Sequence, residues 1–198
     1  NFRLALTFAF DRGEYLGQQY GEDLKYNSMR NTFVCGTFVS LEEEVTLDIG
    51  TFPAGTYYGE IVQAQLDADG FPIKVWDPDA DDGIGSSDGF DGWYNAAAAK
   101  EYMAKAVEEL AAEGVEVTKE NPIQIDVTYH SSNQTYVNQF NAYKKCIEEN
   151  LDGLVQVNLM GFDDRNDYYS SSYFPTSGFD YNYDISFASG WSADYADP

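Results

Sequence analysis

From Asn95 to Gly190 the chain alternates between helical and strand-like hydrophobic periods, and this constrains its fold more than any other feature. Residues 96 to 113 place Ala99, Tyr102, Met103, Ala106, Val107 and Leu110 on one helical face, with Asn95 as a cap and Gly114 as the stop. Ile123, Ile125, Val127 and Tyr129 then alternate with Gln124, Asp126 and Thr128, a strand signal. Ser131-Ser132-Asn133 opens a second helix with Tyr136, Val137, Phe140, Tyr143, Ile147 and Leu151 inward. A strand over 154–160, a short Tyr-rich helix over 163–173 and a strand over 184–190 complete the series. The order β-α-β-α-β predicts an α/β fold with a mainly parallel sheet flanked by helices, because crossovers between strands of one sheet are right-handed. All three carboxyl ends, near His130, Gly161 and Trp191, then face one rim, where open α/β sheets bind ligands.

The last strand delivers Trp191 and Asp194 to that rim just after Gly190. An aromatic plate three residues from a carboxylate suits a ligand with apolar surface and a positive charge. Taken by itself, the pair equally fits a core Trp followed by a solvated Asp in a turn.

The first half is less periodic. Phe2, Leu4, Ala5, Leu6, Phe8, Ala9 and Phe10 predict a mostly buried helix over 2–11, continuing weakly through 13–30. Residues 31–40 read as an extended loop. Residues 41–92, rich in Asp, Gly, Pro and Tyr, read as an irregular acidic excursion within a single lobe spanning 1–198.

Composition narrows the partners. The 34 acidic residues against 11 basic ones leave a formal charge of −23, which excludes phosphate backbones and anionic membrane surfaces as natural ligands. It favours cationic or zwitterionic ligands, calcium, or plain solubility outside a cell. With 43% apolar residues, 16 Tyr and 13 Phe, the chain has the material for a folded core. The aromatic count suits a carbohydrate or peptide surface, but aromatics are equally ordinary core material. No run reaches the roughly 18 apolar residues of a membrane span, so no direct membrane insertion is expected. No export signal is present either. The opening at Asn1 inside a helical pattern, without an initiator Met, suggests a piece of a longer protein. Cys35 and Cys146 fit one disulfide or two buried thiols equally well, and no Cys-His spacing suggests zinc. No cofactor is implied.

Three local patterns invite chemistry. Gly85-Ser-Ser-Asp-Gly89 matches the nucleophile-elbow spacing with Ser87 as nucleophile, but it lacks the strand before and the helix after. The lone His130 would have to serve as base, and a hydrogen-bonded histidine on a strand end is the plainer reading. Asp77, Asp79, Asp81 and Asp88 resemble an EF-hand loop, yet the glycine falls one place late at Gly83 and Asp88 replaces the bidentate Glu. A secreted, calcium-stabilised hydrolase or carbohydrate module using residues 77–91 is therefore the alternative function. Asn133-Gln-Thr135 is a glycosylation sequon at a helix start.

Four segments, in order, resemble one known family. The run Asn1-Phe2-Arg3-Leu4-Ala5-Leu6-Thr7-Phe8-Ala9-Phe10-Asp11-Arg12 resembles a helix of the extracytoplasmic oligopeptide-binding proteins of ABC importers (solute-binding protein family 5). Met29-Arg30-Asn31-Thr32-Phe33-Val34 is similar to the segment that follows it in the Gram-positive branch. Trp93-Tyr94-Asn95, with the helix through Glu109-Leu110 to Gly114, is similar to a third element. The most specific piece is Gly190-Trp191-Ser192-Ala193-Asp194-Tyr195-Ala196-Asp197-Pro198, which matches the family's "G-W-x-A-D-Y-x-D-P" signature.

The resemblance implies one lobe of a type II periplasmic-binding-protein fold, without catalysis. Its expected partners are short peptides and, through the full-length protein, ABC permease and ATPase subunits. Its expected location is extracytoplasmic, as a Gram-positive surface lipoprotein or in a periplasm. It further implies that Asp194 anchors a peptide's α-ammonium and that Trp191 lines the adjacent cleft, with Ser189, Gly190 and Ser192 around them. Some members carry an Arg just before the Gly-Trp pair, whereas Phe187, Ala188 and Ser189 stand there in this chain.

Overall fold

The computed structural model describes residues 1–80, 84–174, 177–181 and 183–187. In chain order the elements are α1 (Phe2–Ala9), α2 (Arg12–Tyr20), β1 (Val45–Leu47), β2 (Gly50–Phe52), α3 (Tyr58–Ala68), α4 (Ala96–Ala112), β3 (Ile123–His130), α5 (Gln134–Asn150), β4 (Val155–Phe162), α6 (Arg165–Ser172) and β5 (Ile185–Ser186). Among the described residues they form two compact units, one of Asn1–Asp23 with residues 96–187, the other of Leu24–Asn95. No helix among the described residues is long and apolar enough to cross a membrane.

The first unit has the expected α/β architecture, a parallel sheet in the order β4-β3-β5 flanked by helices. β3 and β4 run in register from Ile123 opposite Val155 to His130 opposite Phe162. The alternation works as read: Ile125 and Val127 are buried on the face that receives α5, through Phe140, Tyr143 and Ile147. Thr128, on the opposite face, is buried as well. β5 is short, pairing Ile185 and Ser186 with Val127 and Thr128. Its entry is pinned by Asp184, whose carboxylate accepts from the Asp126 backbone N–H at 2.8 Å while its own N–H donates to the Asp126 carbonyl at 2.9 Å.

Local signals set the helix ends. Asn133 accepts from the Thr135 N–H at 2.8 Å and starts α5; Asp164 does the same for α6 with the N–H groups of Asn166 and Asp167. Gly114, at φ +83°, ends α4, and the Val115 N–H reaches back to the Leu110 carbonyl. The helix expected over 2–11, with its weak continuation through 13–30, is instead two. Phe10 takes an extended conformation (φ −82°, ψ 103°), and Asp11 caps a new helix by accepting from the Glu14 N–H at 3.0 Å. That helix stops at Gly21 (φ +80°) rather than continuing toward residue 30. α1 lies against α4, where Phe8 meets Tyr102 with ring centroids 5.3 Å apart.

In the second unit, the stretch 41–92 is more ordered than its composition predicts. β1 and β2 form an antiparallel hairpin, and α3 is an 11-residue helix. Gln63 on α3 accepts from the N–H groups of Val75 and Trp76 and donates to the Ile73 carbonyl, fastening the following strand-like segment to the helix. Asn31 joins the start of the unit to its end. Its side chain donates to the Ser87 and Phe90 carbonyls and accepts from the Gly92 N–H, all at 2.9–3.0 Å.

Candidate functional site

The carboxyl rim of the parallel sheet holds a cavity of about 620 Å3. Its position follows from topology: β3 ends there in His130, β4 leads into Arg165 at the start of α6, and β5 runs into Phe187. α2 contributes Tyr15, and α5 contributes Tyr136 and Phe140 from its first turns.

The floor is an aromatic cluster. Phe187 stands edge-on to Phe140 (4.9 Å) and Tyr143 (5.4 Å) and stacks on Tyr15 at 6.0 Å. Phe140 also stacks on Tyr129 at 4.9 Å. Edge-on and offset contacts place positive ring edges against negative ring faces, which holds these side chains in fixed orientations. Burial in this cluster pushes the Tyr15 phenol up to about 12, with smaller contributions from the Tyr168 and Tyr136 phenols.

The walls are polar. The His130 ring lies nearly parallel to Tyr168 (12°, 6.1 Å), and its Nε2 is 3.0 Å from the Ser132 hydroxyl. The Arg165 guanidinium lies over the Tyr169 ring at 5.1 Å and donates to the Tyr169 hydroxyl at 3.0 Å. The arrangement offers a ligand flat aromatic surface, hydroxyl groups and one guanidinium, without a nucleophile–base pair. A second, more apolar hollow of about 760 Å3 lies where β3 begins, between Phe2, Leu110, Val117 and Pro122. It faces the amino end of the strands, the side that α/β sheets do not use for ligands.

The residues singled out from the sequence fare differently. Ser189, Gly190, Trp191, Ser192 and Asp194 lie outside the described residues. His130 is on the cavity wall and Asn133 is the α5 cap. Ser87 is 1% exposed; its Oγ accepts from the Gly36 N–H at 2.7 Å and donates to the Asp88 carboxylate at 3.1 Å. A hydroxyl sealed in this way is a structural latch rather than a nucleophile. Asp77 pairs through its backbone with Ser86, and its carboxylate accepts from the Asp79 N–H; Asp81 lies outside the described residues. Among the described residues no group of three or more His, Cys, Asp or Glu is gathered to hold a metal. Both cysteines are free thiols, Cys35 half-buried and Cys146 buried.

Sequence reasoning located the rim but not the residues that build its cavity. Phe140 read only as a core position, and nothing in the weak 13–30 pattern singled out Tyr15. Arg165 carried a usable signal: it follows β4 directly, where a βα connection must reach the rim.

Comparison with known proteins gives a consistent answer. No family model matches the chain. It is 32% identical over 203 residues to the oligopeptide-binding protein AmiA of Streptococcus pneumoniae serotype 4. It is 31% identical over 201 residues to the oligopeptide-binding protein SarA of Streptococcus gordonii, and equally to AliB of S. pneumoniae. Each alignment covers 100% of this chain and 26% of the relative, so the chain spans about a quarter of their length. Among solved structures, Haemophilus influenzae OppA in complex with the peptide RPPGFSPFR aligns over 86% of this chain and 23% of its own, at 16% identity. Its TM-score of 0.38 is too low to establish a common fold.

Proposed function

Because the chain is homologous along its whole length to oligopeptide-binding proteins, we propose that it is one lobe of a two-lobed extracytoplasmic protein that captures short peptides for an ABC permease. That homology carries the reading, and the aromatic cavity on the carboxyl rim supports it. The full-length protein sits outside the cytoplasm, as a surface lipoprotein or in a periplasm, and binds without catalysis.

Peptides share an ammonium, a carboxylate and a backbone while their side chains vary, so a general binder places charge at the constant groups. In this reading Asp194 takes the α-ammonium and Trp191 forms the neighbouring cleft wall, with Ser189, Gly190 and Ser192 around the ligand backbone. A charge-assisted hydrogen bond contributes roughly 1.5–3 kcal/mol. An ammonium left unpaired in a closed, desolvated cleft costs on the order of 3–5 kcal/mol. Closure of two lobes on the ligand then gives a permease a shape to sense.

The test uses the full-length protein. Mass spectrometry of material released on denaturation should find co-purified peptides. Calorimetry should show that Asp194→Asn and peptide N-acetylation each abolish most binding. Equal affinity for free and acetylated peptides would remove Asp194 from its role.

A further inference from the structure

We infer that Arg165 makes the rim cavity selective for a ligand group bearing a carboxylate, an inference that rests on the peptide-binding reading above. The chain has 34 acidic residues against 11 basic ones, so a random patch of its surface is negative. The cavity is an exception. Among the described residues its lining contains no carboxylate, and its one fixed charge is the Arg165 guanidinium.

The neighbouring carboxylates are engaged elsewhere. Asp164 spends its Oδ1 on the Asn166 and Asp167 N–H groups, and Asp163 accepts from the Ser131 hydroxyl at 2.6 Å. Among the described residues no carboxylate lies within ion-pair distance of Arg165. Its guanidinium is held face-on to Tyr169 and uses one N–H on the Tyr169 hydroxyl. Four of its five donors therefore face no described partner, in a planar fork whose orientation is already set. Such a fork matches a carboxylate in bidentate geometry, which an amide of the same shape cannot reproduce. The Ser132 hydroxyl and His130 add neutral polar groups to the wall.

The chain's overall charge opposes anions at long range, so the selection operates at contact, where the exposed Arg165 edges an aromatic-walled cavity. The carboxylate comes either from an Asp or Glu side chain or from the peptide's own C-terminus.

The experiment separates these sources. Calorimetry at neutral pH on the full-length protein compares peptides in matched pairs: Glu against Gln at each internal position, and free acid against amide at the C-terminus. The expected result is that one pair favours its acidic member by about fivefold, the upper end for an exposed ion pair. Arg165→Gln removes that preference by weakening the acidic member about fivefold more than the neutral one, while Arg165→Lys keeps part of it. The responding pair identifies the source. Equal affinities in every pair, a preference that survives Arg165→Gln, or an equal loss for acidic and neutral members overturns the inference and leaves Arg165 as an aromatic-stack residue. Peptides bound without charge preference refute this inference alone. A wild-type protein that binds no peptide removes the peptide reading and this inference together.

Discussion

The ring of Phe187, where the chain leaves β5, meets the ring of Phe140 on α5 edge-on, with centroids 4.9 Å apart and planes at 81°. This contact fastens the shortest strand of the sheet to the helix that covers it, and both rings line the rim cavity. It therefore joins the stability of the first unit to the shape of its site.

The two rings differ in burial, Phe140 at 4% exposed and Phe187 at 36%, which sets unequal costs. Phe140→Ala should destabilise the first unit by about 3–4 kcal/mol, and Phe187→Ala by about 1–2 kcal/mol. A double-mutant cycle in urea should return a coupling of about 0.5–1.5 kcal/mol. Additive losses would mean that the edge-on contact contributes nothing beyond separate burial.

In the second unit, Ser87→Ala leaves the buried Gly36 N–H without its acceptor. The expected loss is about 1–3 kcal/mol, read as a lower denaturation midpoint. An activity-based phosphonate probe should leave Ser87 unlabelled in the folded protein, because the hydroxyl is inaccessible.

Gly92 has no room for a side chain, since a Cβ there would fall 1.5 Å from the Lys74 carbonyl oxygen. The same two residues are joined by the Lys74 N–H donating to the Gly92 carbonyl at 3.0 Å. Gly92→Ala must push these backbones apart, at a cost of about 3 kcal/mol. Limited proteolysis should show faster cleavage within 24–95.

Burial raises the Tyr15 phenol from its usual 10.0 to about 12 and moves Tyr143 and Tyr168 in the same direction. Below pH 10 both the folded and the unfolded chain hold these protons, so they add no pH dependence. Between pH 10 and about 12 the unfolded chain releases its Tyr15 proton while the folded one retains it, so stability falls as pH rises. Urea midpoints should drop across that window, and Tyr15→Phe should flatten the drop.

The Cys146 thiol is raised to about 11, chiefly by burial, with the Asp11 carboxylate adding to the shift. In the native protein a thiol reagent at pH 8 should modify the half-buried Cys35 and spare Cys146 until urea unfolds the chain. Equal rates at both cysteines would contradict the packing of Cys146 on α5.

Much of the first unit was legible because its signals are local. The alternation at Ile123–Tyr129, the helix start at Asn133 and the stop at Gly114 are properties of neighbouring residues, and hydrophobic period separates helix from strand without knowledge of the fold. Right-handed crossovers turned those elements into a parallel sheet with one ligand-facing rim. The family signature at Gly190–Pro198 was legible for the same reason, as a contiguous run of residues.

Other features depended on distant partners. α3 contains Gly59, Ile61 and Val62, poor helix formers. Its anchors come from elsewhere: Trp76 packs against Gly59, and the 73–76 backbone bonds to Gln63. The break at Phe10 followed neither propensity nor period. It turns the Phe10 ring to meet Tyr143 edge-on at 4.9 Å, a contact 133 residues away in sequence. The cavity is assembled in the same way from Tyr15, Phe140, Arg165 and Phe187, on four different elements or their ends. By itself the sequence determined the elements from α4 onward, their parallel order along the chain and the rim. Tertiary structure alone decided which side chains meet at that rim, because such convergence depends on packing between residues that share no local pattern.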